Sequence, residues 1–204
     1  MARYSPEHKE ATRRRMVESA GRRFKSDGFD GSGIATLVAD VGLTNGAFYG
    51  HFESKDDLIA SVVEEQLAQQ VARIAEMPVG LESVDTFLLQ YLSREHRDDP
   101  ADGCPSAALL DEIARSSEVA REAYTHGALN MIEAIARHLD SGDSEDATVA
   151  SIGLYTLLVG SLQLARAVTD PALSDRILAA AYANAMTLTG VTGRPQIVTE
   201  KDPQ

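Results

Sequence analysis

Apolar residues recur at helical spacing along most of this chain. Over residues 9–27, Met16, Val17, Ala20 and Phe24 fall on one face, the stripe that a turn of 3.6 residues makes from i, i+3 and i+4 positions. Gly28 ends that helix, and two brief ones are predicted over 34–41 and 44–50. A longer stripe starts near Lys55: Leu58/Ile59, Val62/Val63, Leu67 and Val71/Ile74 repeat until Pro78 stops it. After Gly80, Val84, Phe87, Leu88, Tyr91 and Leu92 form the next, which runs to about Asp99 and Pro100. A short helix opens at Pro105, another covers 118–139 and closes in the loop 140–143, and two more cover 144–168 and 171–188. The last is announced by Asp170-Pro171 and closed by Gly190. Residues 1–8 and the polar, proline-containing tail from Val191 read as flexible arms. β-branched runs are short and Ala, Leu, Glu and Arg dominate, so the expected fold class is all-α with about nine helices.

The densest local signal is Gly42-Leu43-Thr44-Asn45-Gly46-Ala47-Phe48-Tyr49-Gly50-His51-Phe52-Glu53-Ser54-Lys55. It compresses a turn, a two-turn helix and a second helix start into one stretch. Gly42 suits the left-handed backbone that ends a helix, and Thr44 suits an N-cap. Ser54 and Asp57 form a capping pattern for the helix that follows. Two helices meeting across such a turn make a helix-turn-helix, whose second helix enters the major groove of DNA. Asn45, Gly46 and Ala47 are small or amide-bearing and allow close approach to base edges; Tyr49 and His51 can donate hydrogen bonds to phosphates, and Lys55 adds a charge beside free helix N–H groups.

The overall charge of −12 opposes nucleic-acid binding if taken as an average. Its distribution changes the picture. Up to Lys55 there are nine basic and seven acidic residues; beyond it, ten and twenty-four. Arg13, Arg14, Arg15, Arg22, Arg23 and Lys25 gather on the first helix and are expected to face phosphates, although a basic run on its own is as well explained as a solvated face.

The N-terminal part resembles the DNA-binding domain of the TetR family of bacterial transcriptional regulators. The resemblance is carried by Arg15-Met16-Val17-Glu18-Ser19-Ala20 with Phe24 and Gly28-Phe29, by residues 37–42, and by Thr44-x-Gly46-x-Phe48-Tyr49-x-His51-Phe52-x-x-Lys55-x-x-Leu58. Val38 and Val41 stand where the family usually has a small residue, and Gly33 where it usually has Ser or Thr; Ser32 is expected to supply that cap. The resemblance implies a three-helix helix-turn-helix domain over residues 1–54, an effector-binding and dimerisation domain over 55–190, and a tail over 191–204. It implies that Arg14, Arg15, Thr36, Thr44, Asn45, Gly46, Ala47, Tyr49, His51 and Lys55 serve DNA binding. It further implies a ligand-responsive regulator, most often a repressor, that binds a palindromic operator as a dimer and is released by a small-molecule effector.

Residues 147–165 carry no charge, nearly the length that spans a bilayer. Polar dilution by Thr148, Ser151, Thr156, Ser161 and Gln163, and the lack of an aromatic belt, favour a helix buried between two subunits over a membrane span. Gly153, Leu157, Gly160 and Leu164, with Ala179 and Ala183, are the expected homodimer interface. An effector cage, as the resemblance implies, would draw on Tyr91, Leu92, His96, Cys104, Leu109, Ile113, Met131, Ile135, Tyr155 and Leu158; ordinary core packing explains the apolar members equally well.

Cys104, the single cysteine, excludes an internal disulfide and fits a reducing cytoplasm, as does an N-terminus without an apolar leader segment. Its place before Pro105 at a helix start favours thiolate, Asp98, Asp99 and Asp102 disfavour it, and both an inert thiol and a redox or electrophile sensor stay open. The five histidines are scattered, and no phosphate loop or metal-ligand spacing occurs, so no enzyme, metal or cofactor is expected. The alternative from another class is a helical binding module whose helix-turn-helix has lost DNA function.

Overall fold

The computed structural model describes residues 6–139 and 145–189, and among them every regular element is a helix. The order is α1 (Pro6–Asp27), α2 (Ile34–Asp40), α3 (Asn45–Phe48), α4 (Lys55–Glu76), α5 (Leu81–Tyr91), α6 (Arg94–Asp98), α7 (Pro105–Ala114), α8 (Glu118–Leu139), α9 (Glu145–Ala167) and α10 (Pro171–Leu188). The arm before Pro6, the loop 140–143, the closing Gly190 and the tail from Val191 lie outside the described residues.

Among the described residues, ten helices rather than about nine result from a break after Tyr91. Ser93 caps a new helix there, its Oγ accepting the His96 N–H at 3.1 Å, so local capping outcompetes continuation of the stripe. α1 begins at Pro6, within the stretch expected to be an arm. Two expected caps are absent: Thr44 precedes α3 without a side-chain cap bond, and Ser32 donates instead to the Gly28 carbonyl at 2.9 Å, leaving Gly33 as the α2 N-cap. Gly42 adopts φ 72°, and the Leu43 N–H reaches back to the Val38 carbonyl at 2.8 Å. That is a left-handed helix stop, which sets the turn between α2 and α3.

Two cores organise the chain. The first joins Phe24, Phe29, Leu37, Val38, Phe48 and Phe52 to the N-terminal half of α4 and to Leu109, Ile113 and Ala120. The second gathers Ile74, Val84, Leu88, Tyr91, Met131, Ile135 and the inner faces of α9 and α10. α4 runs through both, packing most extensively on α8. Any tilt of α4 is therefore felt in both cores, because close-packed interiors transmit displacement rather than absorb it.

Candidate nucleic-acid interface and the chamber behind it

At the α2–α3 turn, buried Phe48 and Phe52 hold the short helix to the first core, their rings 5.6 Å apart. The opposite side is open: Thr44, Asn45 and Gly46 are exposed, Ala47 is half-buried, and Tyr49 is 65% exposed. A side chain added at Gly46 would meet nothing nearer than Thr44 Oγ1 at 4.0 Å, so a partner surface can come up to this backbone. Thr36 is exposed on α2. The α4 start is capped as its sequence predicts, with Ser54 Oγ accepting the Asp57 N–H at 3.1 Å and the Asp57 carboxylate accepting the Glu53 N–H at 3.0 Å.

His51 and Lys55 are turned inward. His51 is half-buried with Nδ1 unpartnered, and burial, helped by Lys9 and Arg13, lowers its pKa, so it offers neutral imidazole rather than charge. The Lys55 ammonium donates to the Phe29 carbonyl, while the Glu112 carboxylate accepts the Phe29 N–H at 2.5 Å. Phe29 is thereby clamped between α4 and α7.

The basic run on α1 is mostly spent inside the molecule. Arg13 donates to Ser61 Oγ at 2.8 Å and lies over the Phe52 ring, and Arg15 donates to the Val41 carbonyl at 3.0 Å, closing the end of α2. Arg23 forks across Asp40 and Asp27. Arg22 pairs with Asp102, and Lys25 Nζ donates to the Gly103 carbonyl at 2.9 Å. Arg14 alone of the six is exposed without such a contact among the described residues. A general phosphate-facing role for the run is thus corrected: most partners are acidic or carbonyl groups far away in sequence.

Asp102 and Gly103 belong to the loop between α6 and α7, and this loop also walls a chamber of about 320 Å3 between α4, α5, α8 and α9. Seven of the ten residues expected in an effector cage line it: Tyr91, His96, Cys104, Met131, Ile135, Tyr155 and Leu158. Leu92 is buried in the second core beside it, and Leu109 and Ile113 point from α7 into the first core, so these three are not part of the wall. Sequence reasoning missed Gln70, Arg73 and Ile74 on α4, Met77 at its C-cap, and Phe87 and Gln90 on α5. The stripe of α4 marks which face is buried; nothing in it says that its last two turns face a void.

The polar wall is largely committed. His96 Nδ1 meets the Tyr91 carbonyl at 2.7 Å and its Nε2 accepts the Cys104 N–H at 3.0 Å, which fixes a neutral tautomer; burial lowers its pKa as well. Tyr155 shares its hydroxyl with Ser106 at 2.6 Å, with Tyr124 bonded to the same Ser106 at 3.2 Å. The Cys104 thiol is buried and donates to Gln70 Oε1 at 3.6 Å. Gly103 has no room for a side chain, since an added Cβ would lie 2.8 Å from His96 Nε2. Behind the loop, Arg166 donates to the His96, Arg97 and Ala107 carbonyls, and burial lowers its pKa. Lys25, partly buried at the same loop, is lowered to about 8 by desolvation.

Comparison with known proteins places this geometry. A family model described as bacterial regulatory proteins, tetR family, matches residues 17–62, from α1 into α4. Residues 17–62 of this chain thus match the DNA-binding part of the TetR family. The HTH-type transcriptional repressor NemR of Escherichia coli K12 is 24% identical over 136 residues, 64% of this chain and 68% of the repressor. The HTH-type transcriptional regulator UidR of the same organism is 27% identical over 85 residues, 42% of this chain and 43% of UidR. The reduced form of E. coli NemR has the same fold, with a TM-score of 0.75 at 22% identity over 87% of this chain and 96% of NemR. FadR of Bacillus subtilis in complex with stearoyl-CoA aligns at a TM-score of 0.60 and 16% identity, over 83% of this chain and 97% of FadR. Proteins of this family regulate transcription through DNA and small-molecule effectors, typically as dimers.

The outer faces of α9 and α10 are unlike the rest of the surface. α9 is long and apolar enough to cross a membrane by length and composition, yet its inner face is packed on α7, α8 and α10. Its other face is open: Ile152, Gly160 and Leu164 are exposed, Gly153 and Leu157 half-buried, and a Cβ at either glycine would touch nothing. Ala179 and Ala183 are exposed on α10, with Leu173 and Leu188 beyond them. Contiguous apolar surface of this kind marks an interaction site.

Proposed function

We propose that this chain is a cytoplasmic repressor that binds a palindromic operator as a homodimer and lets go when a small molecule fills the chamber. The observation that carries the reading is the presentation of Thr44, Asn45, Gly46 and Tyr49 to solvent by a helix whose other side is locked by Phe48 and Phe52. Residues up to 54 do the reading of DNA, and those from 55 to 190 sense and dimerise. Asn45, Gly46, Ala47 and Thr44 address base edges; Tyr49, with Arg14 and Thr36, addresses phosphates, and Arg15, His51 and Lys55 support the motif from within. The open glycine-lined face of α9 and α10 receives the same face of a second copy, as a two-fold interface requires. Two recognition helices then sit about 34–36 Å apart, or a multiple of that, on successive half-sites.

Release is supported by the shared loop. Arg22 and Lys25 of α1 hold Asp102 and Gly103, whose other side faces the chamber. A molecule that fits only when this loop shifts biases α1 and the recognition helix with it; coupling of about 1–3 kcal/mol suffices for a 5–150-fold change in operator affinity. The test is binding of the full chain to promoter DNA of its own gene, followed by fluorescence anisotropy across a salt series. The expected result is palindrome-selective binding whose log K falls by about 0.9 per phosphate contacted for each decade of salt. Equal affinity for scrambled DNA would overturn the proposal.

A further inference from the structure

We propose that the chamber accepts an uncharged, mainly apolar molecule carrying one hydrogen-bond acceptor, such as an aryl ketone, ester or amide, and that the Tyr91 hydroxyl is the donor that selects it. This rests on the reading of the chamber as the effector site. Most polar groups of the chamber are already engaged or stand at its rim. His96 has both ring nitrogens engaged with backbone, and Tyr155 is bonded to Ser106. The Cys104 thiol already donates to Gln70. Arg73, Gln90 and Asp102 stand exposed at the rim, Arg73 and Asp102 with opposite charges and Asp102 held by Arg22. Tyr91 is only 9% exposed, yet among the described residues its hydroxyl, beside the weakly bonding Cys104 sulfur, makes no hydrogen bond of normal geometry.

A buried unpartnered hydroxyl costs free energy unless something arrives to meet it. Its direction is fixed, because the Tyr91 ring is wedged edge-on against His96 at 4.6 Å and lies 5.7 Å from Phe87. Burial first, then the neighbouring Cys104, raises its pKa well above 10, so it stays a donor at any physiological pH. Elsewhere the wall is Ile74, Met77, Phe87, Met131, Ile135 and Leu158, which offers nothing to a charge. A carboxylate entering there trades its hydration for the single Tyr91 hydroxyl and an ammonium for no facing carboxylate, so either loses more than it gains. At about 320 Å3 the space is at the small end of ligand sites, which span about 300–1,000 Å3.

The experiment uses the full chain without DNA and three probes on one ring system: acetonaphthone, ethylnaphthalene and naphthoate. The ketone is expected to bind about three- to tenfold tighter than the hydrocarbon, as one net hydrogen bond allows, and naphthoate least. In Tyr91→Phe the ketone and hydrocarbon become equal, while the thermal midpoint of the unliganded protein holds or rises because no protein partner is lost. Tyr155→Phe, which breaks a satisfied bond, lowers the midpoint and keeps the preference for the ketone. A ketone preference that survives Tyr91→Phe, naphthoate binding as tightly as the ketone, or no binding by any probe overturns the inference. Promoter binding by the unliganded protein judges the regulator reading separately, so the two can fail independently.

Discussion

Gly127 on α8 lies against Leu67 on α4, at the seam where the long helix passes from one core to the other. A Cβ built at Gly127 would overlap Leu67 Cδ1 and sit 2.8 Å from its Cβ. The second contact matters more, because a rotamer change moves Cδ1 but leaves Cβ where the backbone puts it. Gly127→Ala gains about 1 kcal/mol of helix propensity. Against this stands overpacking of a fully buried leucine, typically about 1–3 kcal/mol, and contact at the Cβ puts this site in the upper half of that range. The variant is therefore expected to lose about 1–2 kcal/mol, with a fall of about 2–4 °C in Tm for each kcal/mol in a chain of this size, measured at fixed protein concentration. A double-mutant cycle isolates the cause. Leu67→Gly alone should cost about 3–6 kcal/mol, the loss of a buried leucine side chain plus glycine's helix penalty; in the Gly127→Ala background it should cost about 2–3 kcal/mol less, because the Cβ that carries the clash is gone. A rise in Tm on Gly127→Ala, or losses that add to within about 0.5 kcal/mol, would refute the claim that α4 and α8 are held apart by nothing but hydrogen at this point.

Lys25 gives a pH signature. Its folded amine titrates near 8 while the unfolded chain holds the proton to about 10.4, so between these values the unfolded state binds more protons and stability rises with pH. Urea denaturation should show wild type gaining on Lys25→Met from pH 8 to 10, and a constant difference would contradict the burial assigned to it. Leu164→Glu, on the open face of α9, is expected to convert a dimer to monomer in light scattering and to weaken operator binding by at least about tenfold, since one recognition helix remains; an unchanged dimer would move the interface elsewhere. Tyr49→Phe should weaken binding to all DNA sequences alike, by about 0.5–1.5 kcal/mol, whereas Asn45→Ala should alter which sequences are preferred. Equal, sequence-independent losses in both would dissolve that division.

Much of the helical frame was legible because its signals are local. The helices over 118–139 and 171–188 have the boundaries their stripes, Pro171 and the Asp170 cap predict. The break at Leu92 was not legible, since a stripe continues through a cap that only Ser93 announces. Leu109 and Ile113 show a deeper limit: amphipathic spacing says that a face is buried but not against which neighbour, and these two pack on the DNA-binding motif instead of a cage. The basic residues of α1 show the same limit for charge. Asp40, which occupies Arg23, ends the next helix, and Asp102, which occupies Arg22, lies in the loop before α7, so a run that looks free in one dimension is spoken for in three. Tyr91, His96 and Tyr155 were recognisable as polar members of a wall, but only their partners reveal which hydroxyl is unspent.

Because Phe24, Phe29 and Phe48 share one core with Leu58, Val63, Leu67, Leu109 and Ile113, the edge after residue 54 marks a change of task and not of packing. A fragment cut there would bare the aromatic floor of its own recognition helix. Hybrid regulators that graft this reading head onto another sensor must therefore carry the first half of α4 and a matching α7 surface, with Glu112 to grip Phe29, or accept a head that does not hold its shape.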